Sequence, residues 1–118
     1  MDKELEQQIL AETTTIYKLL SNPTRIKILY LLENQTLTVG ELAKRLAVAQ
    51  SIVSHQLASL RKHQLISFEK QGKYVYYKLD DPHILSIIEM TFDHVEHVVK
   101  GEPHQYHLQS IMDKDKNN

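Results

Sequence analysis

Residues 38–62 constrain this chain more than any other stretch. Thr38 and Glu41 stand at the T-x-x-E spacing of a capping box, in which two side chains satisfy orphan backbone N–H groups at a helix start. The box opens a short helix, Val39 to Leu46, with Leu42 and Leu46 facing inward. Ala47-Val48-Ala49 leaves room only for a tight turn, and a second helix follows over Gln50 to Lys62. Its Val53, Leu57 and Leu60 recur at i, i+4 and i+7, which gathers them on one face. Two short helices joined by such a turn form a helix-turn-helix.

The flanks extend this unit. Asp2 is placed to cap a first helix from Lys3 to Leu20, with Leu5, Ile9, Ile16, Leu19 and Leu20 in a partial apolar stripe. Asn22 and Pro23 give the cap-then-proline signal of a second helix, running to Glu33 with Ile26, Leu29 and Leu32 toward the core. From Leu65 the period changes to that of strands. Leu65–Lys70 and Lys73–Leu79 are rich in Ile, Phe, Val and Tyr, and Gln71-Gly72 between them reads as a hairpin turn. Asp80-Asp81-Pro82 repeats the cap-then-proline signal, and a last helix runs from Pro82 to Val99, ended by Gly101 and Pro103. The order predicts a mainly α chain with a β-hairpin wing: a winged helix-turn-helix over residues 1–100, with the first and last helices free to dimerise. Residues 101–118 form a His-containing tail, expected to be partly disordered.

Composition narrows the function. No cysteine occurs, which excludes a disulfide framework, a thiolate metal site and a cysteine nucleophile. No apolar run approaches membrane-spanning length, and the acidic start MDKELEQQIL lacks a signal-peptide core; the expected location is cytoplasmic. There is no G-x-S-x-G, P-loop or H-E-x-x-H, so an enzyme with a small-molecule substrate is not expected.

The net charge of −1 conceals a strong asymmetry. Residues 41–78 carry 7 Lys or Arg against 2 Asp or Glu, whereas residues 79–118 carry 3 against 8 and hold five of the seven histidines. The basic block suits phosphates. On the second helix of the helix-turn-helix, the face opposite the apolar one shows Ser51, Ser54, His55 and Ala58, with Gln50 at its start. Short hydroxyls and amides approach base edges closely. Arg61, Lys62, Lys44, Arg45, Lys70 and Lys73 are candidates for phosphate contacts, which position a protein without reading sequence. The plain alternative, a solvated polar face, explains the helix by itself less well once the preceding helix, the tight turn and the basic hairpin are taken together.

The acidic third suits a cation. Asp81 and His83 stand at the start of the last helix, and His94 and His97, spaced i, i+3, near its end. His83 and His94 are eleven residues apart, three turns plus about 20°, so they share a face about 16 Å apart along the axis. One helix therefore cannot bring all four groups to one ion. Two antiparallel copies can, which predicts a two-fold homodimer with two equivalent sites shared between chains. Three imidazoles and a carboxylate suit zinc, and cobalt accepts the same geometry; with all four positions filled by protein, the ion is regulatory rather than catalytic. His104 and His107 lie beyond Pro103 as possible extra ligands, which would favour nickel or cobalt.

These features together resemble the ArsR/SmtB family of metal-responsive repressors. The resemblance covers residues 8–100 and rests on LSNPTRIKILYLL, on ELAKRLAVAQSIVSHQLASLRKHQLI, on QGKYVYYKLDD, and on D-x-H followed after ten residues by H-x-x-H. It implies the branch that binds zinc or cobalt between C-terminal helices, through Asp81 and His83 of one subunit with His94 and His97 of the other. It also implies the sign: the metal-free dimer holds double-stranded operator DNA, metal releases it, and the genes derepressed serve metal efflux or resistance. For the coupling we expect a relay in which the second N–H of ligating His94 reaches a carbonyl near His63 or Gln64, at the end of the DNA-reading helix. The competing readings are a nickel or cobalt sensor that uses the tail histidines, and a winged-helix regulator that does not respond to metal.

Overall fold

The computed structural model describes residues 2–101. Five helices and one hairpin follow the expected order: α1 (Lys3–Leu19), α2 (Pro23–Leu31), α3 (Val39–Leu46), α4 (Gln50–Lys62), β1 (Ile66–Gln71), β2 (Tyr74–Leu79) and α5 (His83–Lys100). They fall into two compact units that divide between Asp80 and Asp81.

The first unit is built around α2. Asn22 caps it, accepting the Arg25 backbone N–H at 3.1 Å, and Pro23 occupies the first turn, where its missing N–H costs nothing. A single inward stripe of Ile26, Leu29 and Leu32 was expected. Instead Ile28 to Leu32 are all buried and Ile26 is half-buried. The helix is covered on several sides, so periodicity alone understated its burial.

The capping box forms as its spacing requires. Thr38 accepts the Glu41 N–H at 3.1 Å, and Glu41 accepts the Thr38 N–H at 3.0 Å. Leu42 is fully buried; Leu46 is half-buried. At the far end of α3, Val48 N–H reaches the Ala43 carbonyl and Ala47 N–H the Lys44 carbonyl, the paired bonds of a Schellman closure. This places Ala47 in the left-handed region at φ +55°, which a Cβ disfavours by about 1 kcal/mol. Ala47→Gly should therefore raise stability by roughly 0.5–1 kcal/mol, read as a higher urea midpoint at unchanged slope.

The same closure ends α4. Leu65 N–H bonds the Leu60 carbonyl, Gln64 N–H bonds the Arg61 carbonyl, and Gln64 sits at φ +62°. Leu60 and Leu65 are both buried, at the two positions where apolar residues commonly accompany this motif. The chain is thus turned directly from the second helix of the helix-turn-helix into the wing.

In the wing β1 and β2 pair antiparallel, with Ile66 opposite Leu79 and Gln71 opposite Tyr74. The two turn residues are Gly72 and Lys73, one position later than expected. Gly72, at φ +64°, stands first in the turn, where a two-residue hairpin of this hand demands a positive φ. Leu37 also pairs with Tyr77 through two backbone bonds of 2.8 and 3.1 Å, which anchors the α2–α3 link to the wing.

The second unit is α5. It starts at His83, one residue later than expected, and Gly101 at φ +67° closes it. Ile84, Leu85 and Ile88 are buried, whereas Ile87, Met90, Val95, Val98 and Val99 are exposed. Among the described residues no helix is long and apolar enough to cross a membrane.

Candidate nucleic-acid interface and metal ligands

On α4 the two faces separate as the spacing demands. Val53, Leu57 and Leu60 have no exposure at all, while Gln50, Ser51, Ser54, His55 and Ala58 are exposed. Packing of α4 against α2 and α3 holds the inward face, so the polar ridge is presented outward on a rigid base. Lys44, Arg45, Arg61, Lys62, Lys70 and Lys73 are all exposed. From Leu42 to Phe68 there is no carboxylate in the sequence, and a like-charged backbone meets no repulsion along that stretch.

Three contacts, two of them between residues far apart in the chain, hold α4 to its neighbours, and none was legible in the sequence. Arg25 of α2 donates from Nε to the Gln56 Oε1 of α4. His63, at the C-terminal cap of α4 with a side chain 20% exposed, has Nδ1 2.8 Å from Glu12 Oε1 of α1. The Arg61 guanidinium lies 4.6 Å from the centre of the Phe68 ring, a cation–π contact that joins α4 to β1. Glu12 and Phe68 carry no periodic or motif signal, and the motif that contains Arg25 does not name its partner; in two of the three cases the partner is 31 or more residues away. At the wing tip Lys73 lies 5.4 Å from the Tyr74 ring centre, which keeps its ammonium beside the turn.

The interface makes a quantitative expectation. If Lys62 contacts a phosphate, Lys62→Ala should lower the slope of log affinity against log salt by about 0.9 per contact, or about 1.8 for two copies. A salt titration of duplex binding by fluorescence anisotropy measures it; an unchanged slope removes Lys62 from the interface.

On α5 the four expected ligands separate into two pairs. Asp81 Oδ1 accepts the His83 backbone N–H at 2.9 Å and lies 2.7 Å from His83 Nδ1. Asp81, the expected cap, thus secures the helix start from one position before the cap residue, which is Pro82. Its carboxyl is held below the ordinary carboxylate value, first by the bond from the His83 backbone N–H and then by the His83 side chain. His94 and His97 are exposed toward the other end of the helix. His83, Ile87, Met90, His94 and His97 fall within about 80° of one another round the axis, and all are exposed, Met90 by 72%. The face is apolar in its middle and bears donors at both ends. Among the described residues no three metal-binding side chains of one chain converge, as a helix of this length requires. The pairs fit a divalent ion as halves of a set: an ionised carboxylate beside an imidazole, and two imidazoles one turn apart. His104 and His107 lie outside the described residues.

Comparison with known proteins adds to this geometry. A family model described as "Bacterial regulatory protein, arsR family" matches residues 22–67. The transcriptional repressor SmtB homolog of Synechocystis sp. is 35% identical over 80 residues, which span 68% of this chain and 61% of that protein. The HTH-type transcriptional regulator NmtR of Mycobacterium tuberculosis is 34% identical over 97 residues, 82% of this chain and 81% of its own. The cadmium resistance regulatory protein CadC homolog of Staphylococcus aureus is 34% identical over 97 residues, covering 81% of this chain and 80% of that one. Among solved structures, reduced HlyU from Vibrio cholerae superimposes with a TM-score of 0.64 at 34% identity, over 75% of this chain and 93% of that one. The homodimeric winged helix-turn-helix DNA-binding domain Mb0332 from Mycobacterium bovis reaches 0.75 over 89% of this chain and 97% of its own, at 18% identity, a likeness of fold.

Proposed function

We propose that this chain, which belongs to the ArsR family of bacterial regulatory proteins, is a metal-responsive repressor whose metal-free homodimer holds operator DNA and releases it when zinc or cobalt binds. Its family makes it a DNA-binding transcriptional regulator and not an enzyme. The observation that carries the metal reading is the exposed face of α5, apolar at Ile87 and Met90, with the Asp81 carboxylate and His83 at its start and the His94 and His97 imidazoles toward its end. The relatives named for SmtB and for cadmium resistance support it.

A lone helix leaves that face in water, and a second copy laid antiparallel covers Ile87 and Met90 with its own. That pairing sets Asp81 and His83 beside the partner subunit's His94 and the partner subunit's His97. A zinc or cobalt ion held there would supply a cross-link between subunits. Ionised Asp81 contributes the negative charge, and His83, His94 and His97 contribute neutral nitrogens. Gln50, Ser51, Ser54 and His55 reach base edges, while Lys44, Arg45, Arg61, Lys62, Lys70 and Lys73 hold phosphates. Two copies of α4 must lie about 34 Å apart to enter successive major grooves, so a change in dimer angle weakens both contacts together. The relay from His94 to a carbonyl at His63 or Gln64 belongs to this proposal. His94→Asn should break it, abolishing metal-driven release.

The test is a titration of metal-free protein with a promoter duplex at fixed salt, repeated with zinc, cobalt and nickel. We expect release by zinc or cobalt with at least about fivefold weaker binding, the lower end of ordinary allosteric couplings. Equal affinity with and without every ion, together with no retained ion in equilibrium dialysis, would overturn the metal reading. Response to nickel alone would assign sensing to a set that includes His104 and His107.

A further inference from the structure

We infer that Ile52 is a specificity-determining residue that recognises the 5-methyl group of a thymine in each operator half-site. The inference deepens the DNA-binding reading above and rests on it. Every other large apolar residue of α4 lies in the core: Val53, Leu57 and Leu60 have no exposure, whereas Ile52 keeps 47% of its surface in the open. It stands in the first turn of α4, between Ser51 and Val53, about 60° round the axis from His55 and about 100° from Ser51. The N-terminal turns of such a helix are the part that enters the major groove. Its neighbours there, Gln50, Ser51, Ser54 and His55, are all hydrogen-bonding residues.

The major groove offers a branched alkyl group one complement. Base edges display donors and acceptors, and the thymine 5-methyl is the apolar group among them. Ile is also stiff at χ1, so its methyls are held in place rather than collapsing back on the helix. The sequence carries no carboxylate from Leu42 to Phe68, so α4 itself brings none toward DNA. Ile52 therefore adds apolar readout to a ridge that otherwise reads by hydrogen bonds.

The experiment selects tight duplexes from a random library with the metal-free full chain. Each thymine of the selected site is then replaced singly by deoxyuridine, which removes only the methyl group. We expect one position per half-site at which the change weakens wild-type binding about fourfold, the value of one buried methyl group. Ile52→Ala should erase that penalty, and Ile52→Val should keep most of it. An unchanged penalty in Ile52→Ala, or none at any thymine in the wild type, would overturn the inference while leaving DNA binding intact. A shift of Ile52→Ala toward monomer in sedimentation, with the penalty still present, would make Ile52 a subunit contact and overturn it as well. Failure to enrich any sequence would sink the operator reading itself.

Discussion

Chains carrying both Asp81→Ala and His83→Ala should bind no ion, and neither should chains carrying both His94→Ala and His97→Ala; mixing the two should restore binding. A mixed dimer holds one complete set and one empty set. With random pairing, half the dimers are mixed, so the mixture should retain about a quarter of an ion per chain. Equilibrium dialysis measures it, and cobalt absorption would report a tetrahedral set directly. The reason is the length of α5. His83 and His94 are eleven residues apart, about 16 Å along one axis, and no bond of about 2 Å can be shared across that span. Full binding by either variant alone, or none by the mixture, would end the shared-site proposal.

Leu57→Ala should remove a large part of the stability, about 2–5 kcal/mol. Leu57 has no exposure and lies in the centre of the inward face of α4, with Val53 one turn before it and Leu60 one turn after. Truncation leaves a void in the core that α4 shares with α2 and α3. Against a typical total of about 5–15 kcal/mol, such a loss should lower the thermal midpoint by at least ~6 °C. Ser51→Ala, on the exposed ridge of the same helix, should stay within about 0.5 kcal/mol of wild type. Urea unfolding at one fixed protein concentration compares the two, since association itself adds stability. A loss below about 1 kcal/mol for Leu57→Ala would mean that α4 is not seated by its inward face.

The pairing of exposed and buried faces explains why these two variants differ so much. One helix carries the core on Val53, Leu57 and Leu60 and exposes Ser51, Ser54 and His55, the residues proposed to meet DNA. Stability and the proposed recognition are therefore separable by substitution although they share one helix of thirteen residues. The contacts at its edges, Gln56 with Arg25 and His63 with Glu12, set its direction rather than its existence.

What could be read from the sequence was what depends on near neighbours. The capping box of Thr38 and Glu41, the Asn22-Pro23 start, the turn after Leu46 and the two faces of α4 involve residues at most seven apart. Local geometry decides these, so spacing is enough. The hairpin was legible too, but its turn moved by one residue because only the strand register shows which position needs the positive φ of Gly72. Among the ligand candidates, spacing placed His83, His94 and His97 on one face of α5, and the structure exposes that face.

Tertiary structure alone decided the rest. The bond from Arg25 to Gln56, the pairing of Glu12 with His63 and the bridge of Leu37 to Tyr77 join residues 31, 51 and 40 positions apart. Nothing in a local period encodes which distant side chain arrives, because that depends on how whole helices pack. The exposure of Ile52 is of the same kind: spacing put it on neither the inward face of Val53, Leu57 and Leu60 nor the polar ridge, and only the packing of α4 leaves it open.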